Sequence, residues 1–285
     1  MLLCVVCVRI AFQGDRVDEP LAGFAEMILE YYAEHGRDLP WRRTRDPYGI
    51  LVSEVMLQQT QVSRVLDRWG EFLDAFPDFD SLAEAPLEDV LRVWSGLGYN
   101  RRAKSLKRIA ETVVTLPGGR LPDTLEGLIA LPGIGHATAA QILAFAFDTG
   151  VPFIETNIRS VYLHHFFEDA EDVPDVAILP LVEATLVAEN PRDWYYALMD
   201  YGTDLKRRLP NPSRRSRHHA TQSRFEGSNR QLRGKILRVL IDEPGLTLAQ
   251  LAEKTAFEPD RVDAVVGALA TEGFVSQQSG RFSIL

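Results

Sequence analysis

The chain has 285 residues, 46% of them hydrophobic and 25% charged. This balance fits a soluble globular protein of more than one domain and excludes a disordered or low-complexity chain. A net charge of −9 argues against a uniformly basic nucleic-acid binder. The only cysteines, Cys4 and Cys7, exclude a disulfide framework, and a single CxxC pair is too few for a tetrahedral metal site, so they read as incidental.

Residues 1–20 read as an N-terminal extension. The first twelve, MLLCVVCVRIAF, are apolar but lack a charged leader and a small-residue cleavage site, and they are too short to span a bilayer. No other apolar run approaches that length, so the expectation is a cytoplasmic protein with no membrane partner. From residue 22 onward apolar positions recur at three and four residues, with turns marked by Gly and Pro. Helices are predicted at 20–34, 48–61, 62–76, 80–85, 87–94, 98–115, 123–130, 135–147, 153–167, 175–189 and 191–202, an all-α body over residues 21–203.

Residues 204–229 change character, with two prolines and few apolar positions, and are predicted to be a linker or an extended binding segment. Between positions 204 and 238 eleven lysines and arginines face two carboxylates, a local charge of +9 that leaves −18 on the rest. Such a basic segment on an acidic protein suits a polyanion, although a solvated linker has the same composition. Residues 230–285 form a second unit, with helices near 231–242, 247–254 and 259–272, then two short strands flanking Ser279-Gly280. Three helices and a hairpin resemble a winged-helix module. Its third helix, PDRVDAVVGALATEG, is acidic, which suits packing or partner binding as well as it suits a groove reader.

The most informative stretch is LPGIG at 131–135, a turn between two helical patterns. Gly133 and Gly135 are able to take positive φ and admit a ligand close to the backbone, and the next helix begins with unpaired N–H groups. A plain helix connector has the same local signature. SEVMLQQTQV at 53–62 sets Glu54 in a largely neutral helix; a buried carboxyl favours its protonated form and suits a general acid, while a helix-terminal Glu needs no such role. LPWR at 39–42 places Trp41 beside Arg42, a pair suited to stacking on a base, though an isolated Trp is more often core. GLGY at 96–99 is a glycine loop from which Tyr99 is able to wedge into a base stack or simply to pack. Glu155, in the P-x-x-E-x-N segment 152–157, stands where a helix cap would.

Together with RDPYGIL at 45–51 and ALMDYG at 197–202, these blocks resemble, in order and spacing, the MutY-type adenine DNA glycosylases of the helix-hairpin-helix (HhH-GPD, endonuclease III-like) superfamily. The likeness covers residues 25–203. It implies a mainly α, two-lobed helical glycosylase fold, here with the small winged-helix-like C-terminal module. It implies extrusion of a base from duplex DNA, with Glu54 protonating the purine and Glu155 at the position of a second carboxylate. Trp41, Arg42, Leu57 and Val62 match the base pocket, Gln59 and Tyr99 the wedge, and Gly133 and Gly135 the phosphate-holding hairpin. Ala137 stands where lyases of the superfamily carry a Schiff-base lysine, which implies a monofunctional enzyme.

Three departures from the family pattern stand out. The second carboxylate is usually an aspartate, one methylene shorter, and such charges are sensitive to placement at about 1 Å. The family usually binds a four-iron cluster through four cysteines beyond ALMDYG; none is present here, so no cofactor is expected, and Arg214, Arg215 and Arg217 are expected to supply phosphate contacts in that place. The family's Nudix-like C-terminal domain, which reads 8-oxoguanine, is replaced. The expectation is a monomeric, nucleoid-associated glycosylase acting on double-stranded DNA with a mispaired or damaged base, removing adenine opposite 8-oxoguanine or guanine. Alternatives are another base (hypoxanthine, uracil or mismatched thymine) or a non-catalytic DNA-binding or regulatory protein.

Overall fold

The computed structural model describes residues 18–219 and 224–285. The N-terminal extension with Cys4 and Cys7 falls outside them, apart from its last residues. Among the described residues fourteen α-helices appear. They are α1 (Asp18–His35), α2 (Pro47–Leu57), α3 (Val62–Ala75), α4 (Phe79–Glu84), α5 (Leu87–Val93), α6 (Arg101–Val113), α7 (Leu125–Ile129), α8 (His136–Phe147), α9 (Thr156–Phe166), α10 (Asp175–Ala184), α11 (Pro191–Arg208), α12 (Asn229–Asp242), α13 (Leu248–Thr255) and α14 (Pro259–Thr271). Strands β1 (Leu246–Thr247), β2 (Val275–Gln278) and β3 (Arg281–Ile284) form one antiparallel sheet in the order β1-β3-β2. None of the described helices is long and apolar enough to cross a membrane.

The described residues divide into two compact units, one of Asp18–Asp38 with Ala139–His219, the other of Leu39–Thr138 with Arg224–Leu285. In the first, α1 and α9 pack on α11. The Arg37 side chain and backbone N–H both donate to Asp200 at 2.7 Å, and the Asp200 side chain is only 1% exposed. A buried carboxylate so paired locks the end of α1 to α11, since loss of one partner would leave the other charge buried. α11 also meets the start of α9 with no room to spare: a Cβ at Gly202 would lie 2.4 Å from the Asn157 carbonyl oxygen. Ala is normally the better helix former by about 1 kcal/mol, but here the clash outweighs that gain. Gly202→Ala is expected to lose about 2–3 kcal/mol of stability in urea denaturation; an unchanged midpoint would mean that the two helices are free to separate.

In the second unit α2 is buried from Tyr48 through Met56, with α3 and α6 packed against it. Its start is fixed by Asp46, whose carboxylate accepts the Tyr48 and Gly49 N–H groups, and by Pro47 at the first helical position. The C-terminal residues belong to this same unit. They show the three helices and the hairpin expected from 230–285. The hairpin turns at Ser279 and Gly280, both with positive φ (51° and 75°), as a two-residue turn requires. Strand β1 was not anticipated, because two residues carry no readable alternation.

Three boundaries differ from the sequence reading by four residues or more. α2 stops at Leu57 rather than running to 61, because Gln59 adopts a left-handed φ of 54°. α10 ends at Ala184 rather than 189. α11 continues to Arg208, so the segment expected to be linker begins as helix, its Asp204 paired with Arg207 and Arg208 at 2.7 and 2.6 Å.

Candidate functional site

Glu54 lies in the buried stretch of α2 and is 6% exposed, next to Ser53 at 1%. Burial keeps bulk water away from the carboxyl, which is the setting a general acid needs. Leu57 at the end of the helix and Val62 at the start of α3 are half-buried, as is Arg42. Trp41 is different from the expectation of a base platform. It is 2% exposed and meets Trp69 edge to face at 6.2 Å, so its ring is spent on packing.

The two wedge candidates share one peculiarity: Gln59 and Tyr99 both have left-handed backbones, φ 54° and 48°. Each costs of order 1 kcal/mol for a residue with a side chain and persists only where its surroundings impose it. The imposing group is Arg102, a residue the sequence reading missed. Its guanidinium donates to the carbonyl oxygens of Val55 (3.0 Å), Met56 (2.8 Å) and Gln58 (2.5 Å), to Thr60 Oγ1 (2.9 Å) and to the Gly98 carbonyl (3.1 Å). It thereby satisfies orphan carbonyls at the end of α2 and holds the peptide preceding each wedge residue. The rings of Trp94 and Tyr99 lie 5.4 Å from its guanidinium carbon. Burial lowers its pKa to about 10, which leaves it charged at neutral pH. Nothing in the sequence distinguished Arg102 from Arg101 beside it.

One turn further along α6, Ser105 supports the hairpin. Gly133 has φ 83°, and a Cβ there would lie 2.9 Å from Ser105 Oγ, so only glycine fits. Leu131 and Ile134 are buried at 4% and 5% exposure and anchor the turn. Gly135 corrects the reading of two left-handed glycines: it is not among the positive-φ residues. It is exposed, and a Cβ there would meet no protein atom within 4 Å, leaving its backbone open to an approaching ligand just before α8. Gln58 Nε2 donates to Thr138 Oγ1 at 3.2 Å, tying the α2 loop to the first turn of α8.

Glu155 lies in the other unit as the N-cap of α9. Its Oε1 accepts from the N–H groups of Asn157 (2.6 Å) and Ile158 (2.8 Å), and Oε2 from Asn157 Nδ2 (3.0 Å). The longer side chain folds back into a capping arrangement, so the extra methylene does not abolish the local geometry. Lys206, counted in the sequence only as one cation of the basic segment, is a neighbouring charge: burial pulls its ammonium below the ordinary value, and the Glu155 carboxylate opposes that shift.

The basic segment is largely engaged within the protein. Arg215 points inward, donating to the carbonyls of Phe167, Glu168 and Leu163, where it finishes the C-terminal end of α9. Arg217 donates from Nε and Nη2 to the same oxygen, Asp172 Oδ2, at 3.0 and 2.7 Å. Ser213 Oγ bonds Ser160 Oγ at 2.6 Å and the Thr156 carbonyl at 3.1 Å, and Val173 bridges Ser216. Arg214 alone of the three arginines is exposed with no side-chain partner shown among the described residues. A cluster held by thiolates does not fit here, since residues 204–219 contain no cysteine and side-chain hydrogen bonds close the loop instead.

The HhH-GPD superfamily base excision DNA repair protein model matches residues 52–179. The adenine DNA glycosylase of Mycolicibacterium smegmatis is 34% identical over 276 residues, 90% of this chain and 94% of that protein. A thermostable thymine-DNA glycosylase superposes with a TM-score of 0.59 at 27% identity, covering 66% of this chain and 88% of that one. Endonuclease III from a non-covalent DNA complex superposes with a TM-score of 0.54 at 16% identity, over 63% and 83% of the two chains, a likeness of fold alone. The chain belongs to the HhH-GPD superfamily of base excision DNA repair proteins and, within it, to the MutY-type adenine DNA glycosylases. Its partner is DNA.

Proposed function

We propose that the protein excises adenine from mispairs opposite 8-oxoguanine or guanine, as a monomeric, monofunctional glycosylase that needs no metal or cluster. Glu54 donates a proton to the purine ring as the glycosidic C–N bond breaks and its electron pair leaves with the base. Glu155 offsets the positive charge that develops on the deoxyribose, and water then adds to the sugar with loss of a proton. Gln59 and Tyr99 enter the base stack, while the 133–135 backbone and Arg214 hold phosphate. The observation that carries this reading is the burial of Glu54 in a helix whose end is stapled to both wedge loops.

Single-turnover excision on duplexes bearing A, hypoxanthine, U or T opposite G or 8-oxoguanine tests it. Cleavage is expected for adenine, with no covalent adduct trapped by borohydride and with loss of most of the rate in Glu155→Gln. Excision confined to T or U, which the likeness to a thymine-DNA glycosylase makes the second reading, would replace adenine as the substrate. A trapped adduct would overturn the monofunctional assignment, and an undiminished Glu155→Gln rate would overturn the role of that carboxylate.

A further inference from the structure

In the unit that holds Glu155, one face of α11 carries Gly202, Thr203 and Lys206 at helical spacing. Gly202 lies against the Asn157 backbone, so this face meets the start of α9. Thr203 Oγ1 donates to Asn157 Oδ1 at 3.3 Å, and Asn157 Nδ2 in turn donates to Glu155 Oε2 at 3.0 Å. Side chains on a helix lean toward its N-terminus, so Lys206, one turn beyond Gly202, extends back along this face toward the Glu155 cap.

Lys206 is half-buried, and no hydrogen bond or ion pair engages its ammonium among the described residues. Arg207 and Arg208 beside it are paired with Asp204, and Arg37, the other cation near it, is held by Asp200 at 2.6 Å. The Glu155 carboxylate attracts Lys206 through space, but its oxygens are turned to the Asn157 and Ile158 N–H groups and to Asn157 Nδ2. Burial lowers the Lys206 pKa, because an ammonium partly out of water with no acceptor is costly. Such a group is completed by an anion that arrives with a ligand. For an enzyme acting on DNA, the anion nearest the deoxyribose that Glu155 serves is the phosphate flanking that sugar, and a lysine binds phosphate as a point charge. Without that phosphate the ammonium works against Glu155, since a cation beside the carboxylate offsets part of the negative field meant for the sugar.

We propose that Lys206 exchanges partners on DNA binding: in the free protein its ammonium balances Glu155, and in the complex it takes the phosphate flanking the extruded nucleotide, leaving the Glu155 charge for the sugar. This rests on the reading of Glu155 as the carboxylate beside that sugar. It couples the seating of DNA to the electrostatics of the second carboxylate, through two side chains of one unit.

The test is a double-mutant cycle on the full chain, read as affinity for a duplex with a tetrahydrofuran abasic analogue opposite 8-oxoguanine, as a function of salt. Lys206→Met, which keeps the aliphatic stem, is expected to weaken binding about tenfold and to lower the slope of log K against log salt by about 1. Lys206→Arg should restore most of both. Glu155→Gln should tighten binding about threefold in the wild-type background, where Lys206 then has no competing carboxylate, and should leave it unchanged in Lys206→Met. Lys206→Gln, a polar replacement at the same half-buried site, reports in its place if the methionine variant does not fold. Wild-type affinity and slope in Lys206→Met would overturn the proposal. So would equal tightening by Glu155→Gln in both backgrounds, which would mean that the carboxylate repels phosphate directly. A full excision rate in Glu155→Gln, with the cycle intact, would remove the carboxylate from the chemistry while leaving the exchange of partners in place.

Discussion

Replacing Glu54 with glutamine is expected to lower the single-turnover rate of adenine excision by about 10³-fold or more while leaving affinity for an abasic duplex within about threefold of wild type. General acid catalysis typically supplies 10²–10⁴ in rate. Glutamine keeps the shape and hydrogen-bonding reach of the side chain but has no proton to give. At 6% exposure the site leaves little room for water to act as a substitute acid, so the loss should fall toward the upper part of that range. A urea midpoint measured on the same variant separates lost activity from lost fold. A variant that excises adenine at the wild-type rate would remove Glu54 from the mechanism. Absence of excision in wild type and variant alike, with binding intact, would make the protein a DNA binder on a glycosylase scaffold.

The sequence made the helices and the hairpin legible because their signals are local. The order α7, LPGIG, α8 follows from apolar spacing and a Pro-Gly turn, and the buried helix around Glu54 from its lack of charge. What escaped was set by tertiary partners. The SEVMLQQTQV block has no helix-ending residue before Gln61, so the stop at Leu57 is visible only once Arg102 takes up the carbonyls there. Arginines 214, 215 and 217 look alike as letters, yet one is exposed, one faces three carbonyls and one is paired with Asp172. Trp41 offered a choice between base platform and core, and the decision lay with Trp69, 28 positions away in the chain. Composition located the basic region but not which of its cations face outward.

Arg102 tests whether the wedge loops need active support. Arg102→Met keeps much of the side-chain volume and removes every donor, leaving carbonyls of Val55, Met56, Gln58 and Gly98 without the partner they have now. Each buried acceptor so stranded costs about 1–3 kcal/mol, partly recovered where water enters, so a total loss of about 2–4 kcal/mol is expected in urea denaturation. A purely structural arginine would stop there: the fraction still folded would excise adenine at the wild-type rate. The left-handed backbones of Gln59 and Tyr99 predict more. Once the peptides before them are released, both residues should relax toward ordinary φ and the wedge should lose its aim, lowering the rate about 10²-fold at saturating enzyme even in well-folded protein. Arg102→Lys separates the two roles, since an ammonium has three donors and no planar fork and is able to bridge only part of the set. Its stability should recover more than its rate. Equal recovery of both, or a wild-type rate in folded Arg102→Met, would show that the wedge loops hold their conformation unaided and that Arg102 serves only the end of α2.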